Sequence, residues 1–313
     1  EDPPLLIGKS TFIDDIKLPG MLYAAVLRSP YPHARIAGIH IHKALKRAGV
    51  KGFLTPNVVA ERTKPIQPAR SIVNFSSEEY CLAVQKTRYV GEPVAAVAAT
   101  TQALAIDALE DLEVDYEVLN PVNDPQVALT DRDNLVYESY GTNLAAYFSE
   151  KWGDVEAAFN MADKILNMEF TLHRYSFTPL ETIGVVANYD SVRNRLTIWS
   201  NVQIVGEAMK TLSYCLGIPT NRIRLIVPNI GGGFGLKGRP WKNLLITSLL
   251  SMQTNKPVKY VETRREHLSS AGHTPECRFK ISVAVKNNGR ILGYRIHEII
   301  DEGASISYAG IYA

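Results

Sequence analysis

A glycine-rich run directly after an apolar segment restricts how this chain can fold more than any other feature. Residues 223–228 read Ile-Arg-Leu-Ile-Val-Pro, a pattern that predicts a buried strand. Residues 229–238 follow as Asn-Ile-Gly-Gly-Gly-Phe-Gly-Leu-Lys-Gly, with five glycines in the eight residues from Gly231. Ordering so many glycines costs backbone entropy that a simple surface turn does not justify. We therefore expect a loop whose backbone N–H groups approach an oxyanion, a phosphate or a metal-oxo group without hindrance from a Cβ atom.

The composition is that of an ordinary protein with enough apolar residues for a large core. The chain has 313 residues, of which 46% are hydrophobic and 21% are charged, and its formal net charge is +2. This length predicts about two domains. The near-balanced charge argues against a nucleic-acid partner. Because no apolar stretch reaches the ~18 residues of a spanning helix, we expect neither a membrane span nor a signal peptide.

The cysteines indicate the redox environment of the chain. Cys81, Cys215 and Cys277 are far apart, odd in number and outside any C-x-x-C pair. We expect buried, reduced thiols in a cytoplasmic protein, with no disulfide framework and no iron–sulfur site in this chain. The sequence begins at Glu1 without a methionine and stops at Ala313 within an apolar run, so we also expect a trimmed or incomplete polypeptide that is one part of a larger assembly.

Hydrophobic periodicity predicts an α+β protein in two parts joined by a linker. Residues 1–120 form the first predicted domain, in which an apolar strand over 94–99 is followed by a helix that Thr100 or Thr101 caps. Residues 121–143, rich in Pro, Asn, Asp and Thr, form the predicted linker. Residues 144–313 form the second domain. Its predicted helices are 155–165, 205–216 and 241–252, and its predicted strands are 167–171, 183–189, 196–200, 223–228, 258–262, 278–285 and 291–300.

The glycine loop also fits a dinucleotide-binding fingerprint. Residues 233–238 match G-x-G-x-x-G between a predicted strand and a predicted helix, and Glu262 follows 24 residues after Gly238, where a ribose-binding acid would lie. Against this, a long strand-rich run precedes the loop, and Arg239 and Pro240 separate it from the helix. From the residues alone, an NAD-binding loop and a turn without a ligand both stay open.

The same loop resembles the G-G-G-F-G-x-K signature of the molybdenum hydroxylases. This is the family of xanthine dehydrogenase, aldehyde oxidase and the large subunit of carbon monoxide dehydrogenase. Further segments resemble that family in order along the chain, namely residues 1–9, 12–16, 18–23, 28–36, 89–97, 113–117, 153–159, 179–181 and 262–267. The resemblance implies an α/β-hammerhead domain over residues 1–120 and the first part of a molybdopterin-binding domain over residues 144–313.

The resemblance also implies roles for individual residues. Gln203 ends a segment that resembles the family's S-x-x-Q and lies 31 residues before Phe234. Its uncharged amide would donate a hydrogen bond to an oxo ligand of molybdenum. Gly232 and Gly233 would let the cofactor approach closely, and Phe234 and Gly235 would place backbone N–H groups and an aromatic face beside it. None of these residues is expected to coordinate the metal directly.

Three further residues and one charged run near these motifs are also interpreted from the sequence. Lys237 either reaches a phosphate or stays solvated, and Glu181 is expected to be a structural carboxylate only. The mixed-charge run 264–267 predicts a solvated ion-pair network. Gly238 stands where the xanthine-oxidising branch that this loop resembles carries a purine-contacting glutamate. The glycine at position 238 favours an aldehyde, an N-heterocycle or carbon monoxide as the substrate.

The resemblance implies hydroxylation with water as the oxygen source, at molybdenum–molybdopterin in its plain or dinucleotide form. The glutamate base is expected outside this chain. The iron–sulfur clusters, the FAD and the remaining molybdopterin-binding segment are expected on partner polypeptides, with a small molecule as substrate. We therefore expect an oxidoreductase subunit that supplies one wall of the site and does not turn over alone. A non-catalytic assembly subunit is the alternative if no companion chain carries the glutamate.

Overall fold

The computed structural model describes residues 2–67 and 77–305, so residues 306–313 of the second predicted domain lie outside the described residues. The helices are α1 (Asp2–Leu6), α2 (His42–Lys46), α3 (Pro56–Arg62), α4 (Gln102–Glu110), α5 (Pro125–Thr130), α6 (Val155–Asn160), α7 (Val205–Leu216), α8 (Trp241–Thr254) and α9 (Arg264–Ser270). The strands are β1 (Leu22–Arg28), β2 (Ala34–His40), β3 (Val50–Leu54), β4 (Lys86–Thr87), β5 (Pro93–Ala99), β6 (Glu113–Val118), β7 (Lys164–Leu172), β8 (Gly184–Asp190), β9 (Arg195–Ser200), β10 (Ile223–Ile226), β11 (Val258–Val261), β12 (Glu276–Val285) and β13 (Ile291–Asp301). Within the described ranges, no helix combines the length and the apolar character needed to cross a membrane.

Contacts divide the chain into two compact units. Of the described residues, the large unit comprises 2–67, 77–121 and 177–272. The small unit comprises residues 122–176 and 273–305. Strands from both predicted sequence domains lie in the large unit, so the contact units and the sequence domains are different divisions of the chain. The predicted domain boundaries stay a prediction.

A seven-stranded mixed sheet with the order β10-β9-β8-β11-β1-β5-β3 forms the centre of the large unit. Alternate residues of β5 point into two separate cores. Ala96 and Ala98 belong to the core that contains α8, whereas Ala95 and Val97 belong to the core with Ala108 of α4. Every residue of β5 is buried, which confirms the prediction of a strand covered on both faces.

The strand directions bring distant segments to one edge of this sheet. β9 and β10 are parallel, with Leu196 opposite Ile223, and α7 lies between them in the chain. Because parallel strands end at the same edge, the residues that follow β9 and β10 lie close together. β8 pairs antiparallel with β9, so the residues that precede β8 lie at this edge as well. The glycine loop, Gln203 and Glu181 therefore meet there.

The small unit contains an antiparallel sheet with the order β13-β12-β7. On one face α6 packs against β13, where a Cβ atom added at Gly293 would lie 3.0 Å from the Ala158 Cβ. The register places Met168, Ile281 and Ile296 side by side on the opposite face. That face also carries Phe170 and Tyr294, and both side chains are exposed. Within the described residues, the small unit therefore presents an open apolar face.

Some sequence expectations are wrong in detail. The helix predicted over residues 155–165 ends at Asn160, and β7 begins at Lys164 because this segment pairs with β12 along its whole length. Tertiary pairing thus overrides the local helical pattern. The predicted linker contains α5, which begins where the Asp124 carboxylate accepts hydrogen bonds from two backbone N–H groups. β3 and α3 are not among the elements predicted from the sequence.

Candidate functional site

Gln203 and the glycine loop lie in direct contact at the edge of the large sheet. A Cβ atom added at Gly233 would lie only 2.6 Å from Cδ and 2.8 Å from Nε2 of Gln203. The Gln203 backbone N–H also donates to the Lys237 carbonyl at 2.9 Å. Only glycine at position 233 permits this approach. The structure thus brings these predicted site residues together, and their chemical roles stay predictions.

The loop backbone is held in an unusual conformation. The φ angles of Gly232, Phe234 and Gly235 are 87°, 50° and 94°. Phe234 is not a glycine, so its left-handed conformation costs of the order of 1 kcal/mol. Its ring packs beside Gly232, where an added Cβ atom would lie 3.1 Å from Phe234 Cε2, and its side chain is largely exposed. Strained, exposed aromatic residues of this kind occur at binding sites.

The loop presents a series of uncommitted hydrogen-bond donors, that is, donors without an acceptor among the described residues. Leu236 N–H donates to the Gly233 carbonyl at 2.9 Å, and Gly238 N–H donates to the Gly235 carbonyl at 3.0 Å, which closes the loop into a short 3₁₀ turn. In the part of the chain that the structure describes, the N–H groups of residues 232–235 donate to no protein acceptor. The Gln203 side chain is exposed, and its amide likewise has no hydrogen-bond partner within residues 2–67 and 77–305. This donor set fits an oxygen-rich ligand.

Glu181 joins both ends of the glycine loop. Its Oε2 accepts hydrogen bonds from Gly231 N–H and from Lys237 Nζ, both at 2.8 Å. Its Oε1 accepts one from Ile13 N–H at 3.3 Å. The Lys237 side chain is 0% exposed, so both earlier expectations, a phosphate contact or a solvated ammonium, are wrong. Burial lowers the pKa of Lys237, and the Glu181 carboxylate opposes that shift.

Arg264 holds the segment that carries Glu181. Its Nη2 donates to the carbonyls of Pro179 at 2.7 Å and Leu180 at 2.6 Å. Its Nη1 is buried and has no hydrogen-bond partner among the described residues. This role of Arg264 is not predictable from the sequence, because nothing in the local pattern marks an arginine that binds carbonyl groups 84 and 85 residues away.

Glu262 lies in a separate buried network at the same sheet edge. It accepts a hydrogen bond from Asn243 Nδ2 at 2.8 Å, and His267 Nδ1 lies 3.1 Å from its other oxygen. Arg28 Nη2 lies 3.7 Å from Glu262, and Arg28 Nε donates to Glu266. Because His267 is fully buried, the predicted solvated network over 264–267 is wrong for that residue.

These observations argue against the dinucleotide-binding alternative. β10, the strand before the loop, lies at the end of the described sheet and has only β9 beside it. A short 3₁₀ turn and Pro240 separate the loop from α8, whereas the fingerprint needs the helix to start directly at the loop. The Glu262 carboxylate is already bonded inside the protein and does not face a ribose.

The cysteines of the chain are buried thiols. Cys81, Cys215 and Cys277 are buried and free, as predicted. Burial raises the pKa of Cys81 and of Cys215 to about 12. No group of three or more His, Cys, Asp or Glu side chains within residues 2–67 and 77–305 is arranged to hold a metal ion.

Comparison with known proteins identifies the family. Residues 136–312 match the family model for a molybdopterin cofactor-binding domain. Residues 7–120 match the model for the aldehyde oxidase and xanthine dehydrogenase a/b hammerhead domain. The chain therefore belongs to the molybdopterin-binding family of aldehyde oxidase and xanthine dehydrogenase, the molybdenum hydroxylases.

Individual relatives agree with this assignment. The gamma subunit of the 6-hydroxypseudooxynicotine dehydrogenase complex of Paenarthrobacter nicotinovorans is 33% identical over 97% of this chain and 38% of its own length. The carbon monoxide dehydrogenase large chain of Afipia carboxidovorans is also 33% identical, over 97% of this chain and 39% of its own length. The crystal structure of quinoline 2-oxidoreductase from Pseudomonas putida 86 matches with a TM-score of 0.87 and 32% identity, over 95% of this chain and 38% of that one. The chain thus spans about two fifths of the length of these relatives.

Proposed function

We propose that this chain forms one wall of the molybdenum–molybdopterin site of a hydroxylase. The observation that carries the proposal is the juxtaposition of the uncommitted Gln203 amide with the uncommitted N–H groups of residues 232–235 at one sheet edge. When bound, the cofactor supplies the redox chemistry by which oxygen from water enters the substrate and two electrons leave it. The protein's part is to bind and orient.

Each residue of this wall has a distinct task. The N–H groups of residues 232–235 would hold oxygen atoms of the cofactor, and Gly232 and Gly233 leave room for its close approach. The Gln203 amide would donate a hydrogen bond without adding a charge, so it polarises its acceptor and leaves protonation states unchanged. The exposed Phe234 ring would form an apolar surface beside these donors and exclude water from the substrate.

The wall contains no group suited to proton transfer. The side chains of Gln203 and Phe234 do not ionise in the neutral range, and the Lys237 ammonium is bound to Glu181. We propose that the general base, a glutamate in the family that the loop resembles, comes from another part of the complete enzyme. We expect the isolated chain to hold little molybdenum and to show no turnover.

We propose an aldehyde, an N-heterocycle or carbon monoxide as the substrate. Gly238 places no carboxylate where the xanthine-oxidising branch uses one on a purine. A Cβ atom at this position would make an ordinary 3.5 Å contact with Ile204 Cδ1, so the glycine is not required by packing. The names of the relatives support this range, since they include a quinoline oxidoreductase and a carbon monoxide dehydrogenase.

We further propose that the enzyme is a cytoplasmic complex. Its partners would be the remaining molybdopterin-binding polypeptide, an iron–sulfur subunit and an FAD subunit, and the molybdopterin would be in its plain or dinucleotide form. Support comes from the subunit names of two relatives, "complex subunit gamma" and "large chain". The three buried free thiols suit a reducing compartment.

The test is to purify the complex that contains this chain from cells grown with molybdate. Molybdenum is measured by mass spectrometry, and turnover by dye reduction with aldehydes, N-heterocycles and carbon monoxide. We expect Gly233→Val to lower the molybdenum content at least about tenfold, because its side chain would overlap the Gln203 amide. Gln203→Leu should retain molybdenum and lower kcat about 100-fold.

A matched control is available within the same segment. Gly206 lies three residues after Gln203, at the start of α7, and a Cβ atom added there would meet nothing within 4 Å. Gly206→Ala should therefore retain both molybdenum and turnover. A Gly233→Val complex with full molybdenum content and full turnover would show that the glycine loop does not hold the cofactor.

A further inference from the structure

We propose that Glu181 is a positioning residue for the cofactor wall, acting through its buried ion pair with Lys237. The role of positioning a cofactor wall rests on the proposed function. The geometry of the Glu181–Lys237 ion pair does not depend on that function. The ion pair would set where the N–H groups of residues 232–235 and the Gln203 amide lie. Glu181 itself need not touch the cofactor.

One carboxylate oxygen closes the glycine loop at both ends. Glu181 Oε2 binds Gly231 N–H at the start of the loop and Lys237 Nζ at its end, each at 2.8 Å. The Glu181 backbone N–H adds a third tie by donating to the Gly231 carbonyl at 3.2 Å. A segment so rich in glycine has many accessible conformations when its ends are free. Fixing both ends on one atom removes most of them.

Lys237 transmits the position of Glu181 to Gln203. Its ammonium binds Glu181, while its carbonyl accepts the Gln203 N–H at 2.9 Å. The same residue therefore connects the two segments that carry the uncommitted donors. If Lys237 moves, both the end of the glycine loop and the backbone of Gln203 lose a fixed partner.

Packing makes this arrangement rigid. Lys237 is fully buried, so its ammonium has no solvent alternative to Glu181. A Cβ atom added at Gly231 would lie 2.6 Å from the Glu181 Cβ, which shows how closely the two backbones approach. Arg264 donates hydrogen bonds to the two carbonyl groups directly before Glu181 and so limits how far the carboxylate can shift.

The test is backbone amide hydrogen exchange, followed by NMR on the 313-residue chain. The reporters are the hydrogen-bonded N–H groups of Gln203, Leu236 and Gly238. We expect Glu181→Ala and Lys237→Met each to raise exchange at these three amides at least about tenfold, because local opening becomes easier. Exchange in the β8–β11 ladder should stay near its wild-type rate.

The neutral double variant Glu181→Gln with Lys237→Met provides the rescue. It keeps an oxygen acceptor for Gly231 and removes the buried ammonium together with the part-buried carboxylate, so protection at the three amides should recover to within about threefold of wild type. Lys259→Met is the matched control. Lys259 is also a buried lysine of the large sheet, but its ammonium binds Asp14 and not the loop. This control should leave the three reporters unchanged.

Two results would overturn the proposal: unchanged protection of the reporters in Lys237→Met, or an equal rise throughout the sheet. If Glu181→Ala does not fold, Glu181→Gln replaces it and must raise exchange at Gln203. The measurement needs no cofactor. Selective loss of protection, together with full molybdenum content and full turnover of the Gly233→Val complex, would contradict the proposed function. It would still show that Glu181 holds the glycine loop and Gln203 in place.

Discussion

Two apolar strands, β5 in the large unit and β7 in the small unit, differ in how far they are buried. Every residue of β5 is buried, whereas every residue of β7 is exposed. The large sheet has a core with α8 and a second core with α4, whereas α6 packs on the face of the small sheet opposite to Met168 and Ile296. The difference shows that an apolar strand is buried only where other elements cover it.

The covered sheet of the large unit also explains where the candidate site lies. Residues that must hold a ligand in fixed geometry need a rigid support. The glycine loop and Gln203 follow parallel strands of the covered sheet, and the buried Glu181–Lys237 pair holds them there. In the described part of the small unit, no buried ion pair of this kind supports the open face.

The largest difference in the free energy of unfolding between the two units is expected when a buried charge is removed. Lys242 Nζ lies 3.0 Å from Glu79 and 3.3 Å from Glu92, and both carboxylates are almost fully buried. Lys242→Met should lower the free energy of unfolding of the large unit by about 3–5 kcal/mol, since it removes the ammonium that both carboxylates share. The matched change Glu169→Gln breaks an exposed pair with Lys280 in the small unit and should cost about 0–1 kcal/mol. Equal losses in urea denaturation would contradict the contrast.

The pH dependence of the Lys242 cluster follows from its surroundings. Burial opposes the charged form, but Tyr89, Glu79 and Glu92 together raise the pKa of Lys242 well above its usual value. A raised lysine pKa adds stability that is fully present below the unfolded-state pKa of about 10.5 and is lost only above it. The difference between wild type and Lys242→Met should therefore be constant from neutral pH to about pH 10.

Core truncation should give the next largest difference. Leu244 of α8 is fully buried, whereas Ile296 of β13 is 54% exposed. Leu244→Ala should lower the free energy of unfolding by about 2–5 kcal/mol, because it removes buried methyl groups and leaves a cavity. Ile296→Ala should change it by less than about 0.5 kcal/mol. Tryptophan fluorescence in urea measures the first loss directly, since Trp199 and Trp241 both lie in the large unit.

Thiol reactivity offers a smaller but site-resolved contrast. With a pKa of about 12, Cys81 and Cys215 in the large unit have a thiolate fraction of only about 10⁻⁴ at pH 8. Cys277 of the small unit lies in register with Leu172 on the open face, and burial raises its pKa as well. We expect Cys277 to react with a disulfide reagent at least about tenfold faster than the other two, since local opening of a thinly covered sheet is easier. Cys277→Ser should remove the fast phase.

The smallest expected effect on stability concerns the open apolar face itself. Phe170→Ser should lower the binding of a fluorescent hydrophobic dye and change the free energy of unfolding by less than about 0.5 kcal/mol. The neighbouring Thr171 points to the other face of the same strand. Thr171→Ser should leave dye binding unchanged. Dye binding that does not respond to Phe170→Ser would show that the open face is not the apolar surface detected.

Sequence reasoning located most elements where their signals are local. The helix predicted over residues 205–216 has the same bounds in the structure, because Gly217 adopts a left-handed conformation at its end with φ of 67°. Thr101 caps α4, and its hydroxyl accepts the hydrogen bond from the Leu104 N–H. The helix predicted over residues 155–165 is wrong beyond Asn160, because the pairing of β7 with β12, more than 100 residues away, outweighs helical periodicity.

For the candidate site, the sequence indicated the members but not their support. The motifs pointed to Gln203 and to the glycine loop, and the structure places both at one sheet edge. Glu181 was expected to be structural only, and Lys237 was expected to face a phosphate or solvent. Their ion pair spans 56 residues of sequence, and no local pattern reports such a distance.

Features that depend on neighbouring residues are readable in the sequence: the glycine loop after its strand, the caps of several helices, the alternation of the strands, and the family to which these motifs belong. Which apolar strand is covered and which charged side chain is buried depends on tertiary packing, because burial and electrostatic environment are set by the distant segments that the fold brings together. Lys237 is a binding candidate in the sequence and a buried structural cation in the fold, because Glu181 reaches it only across the assembled sheet edge.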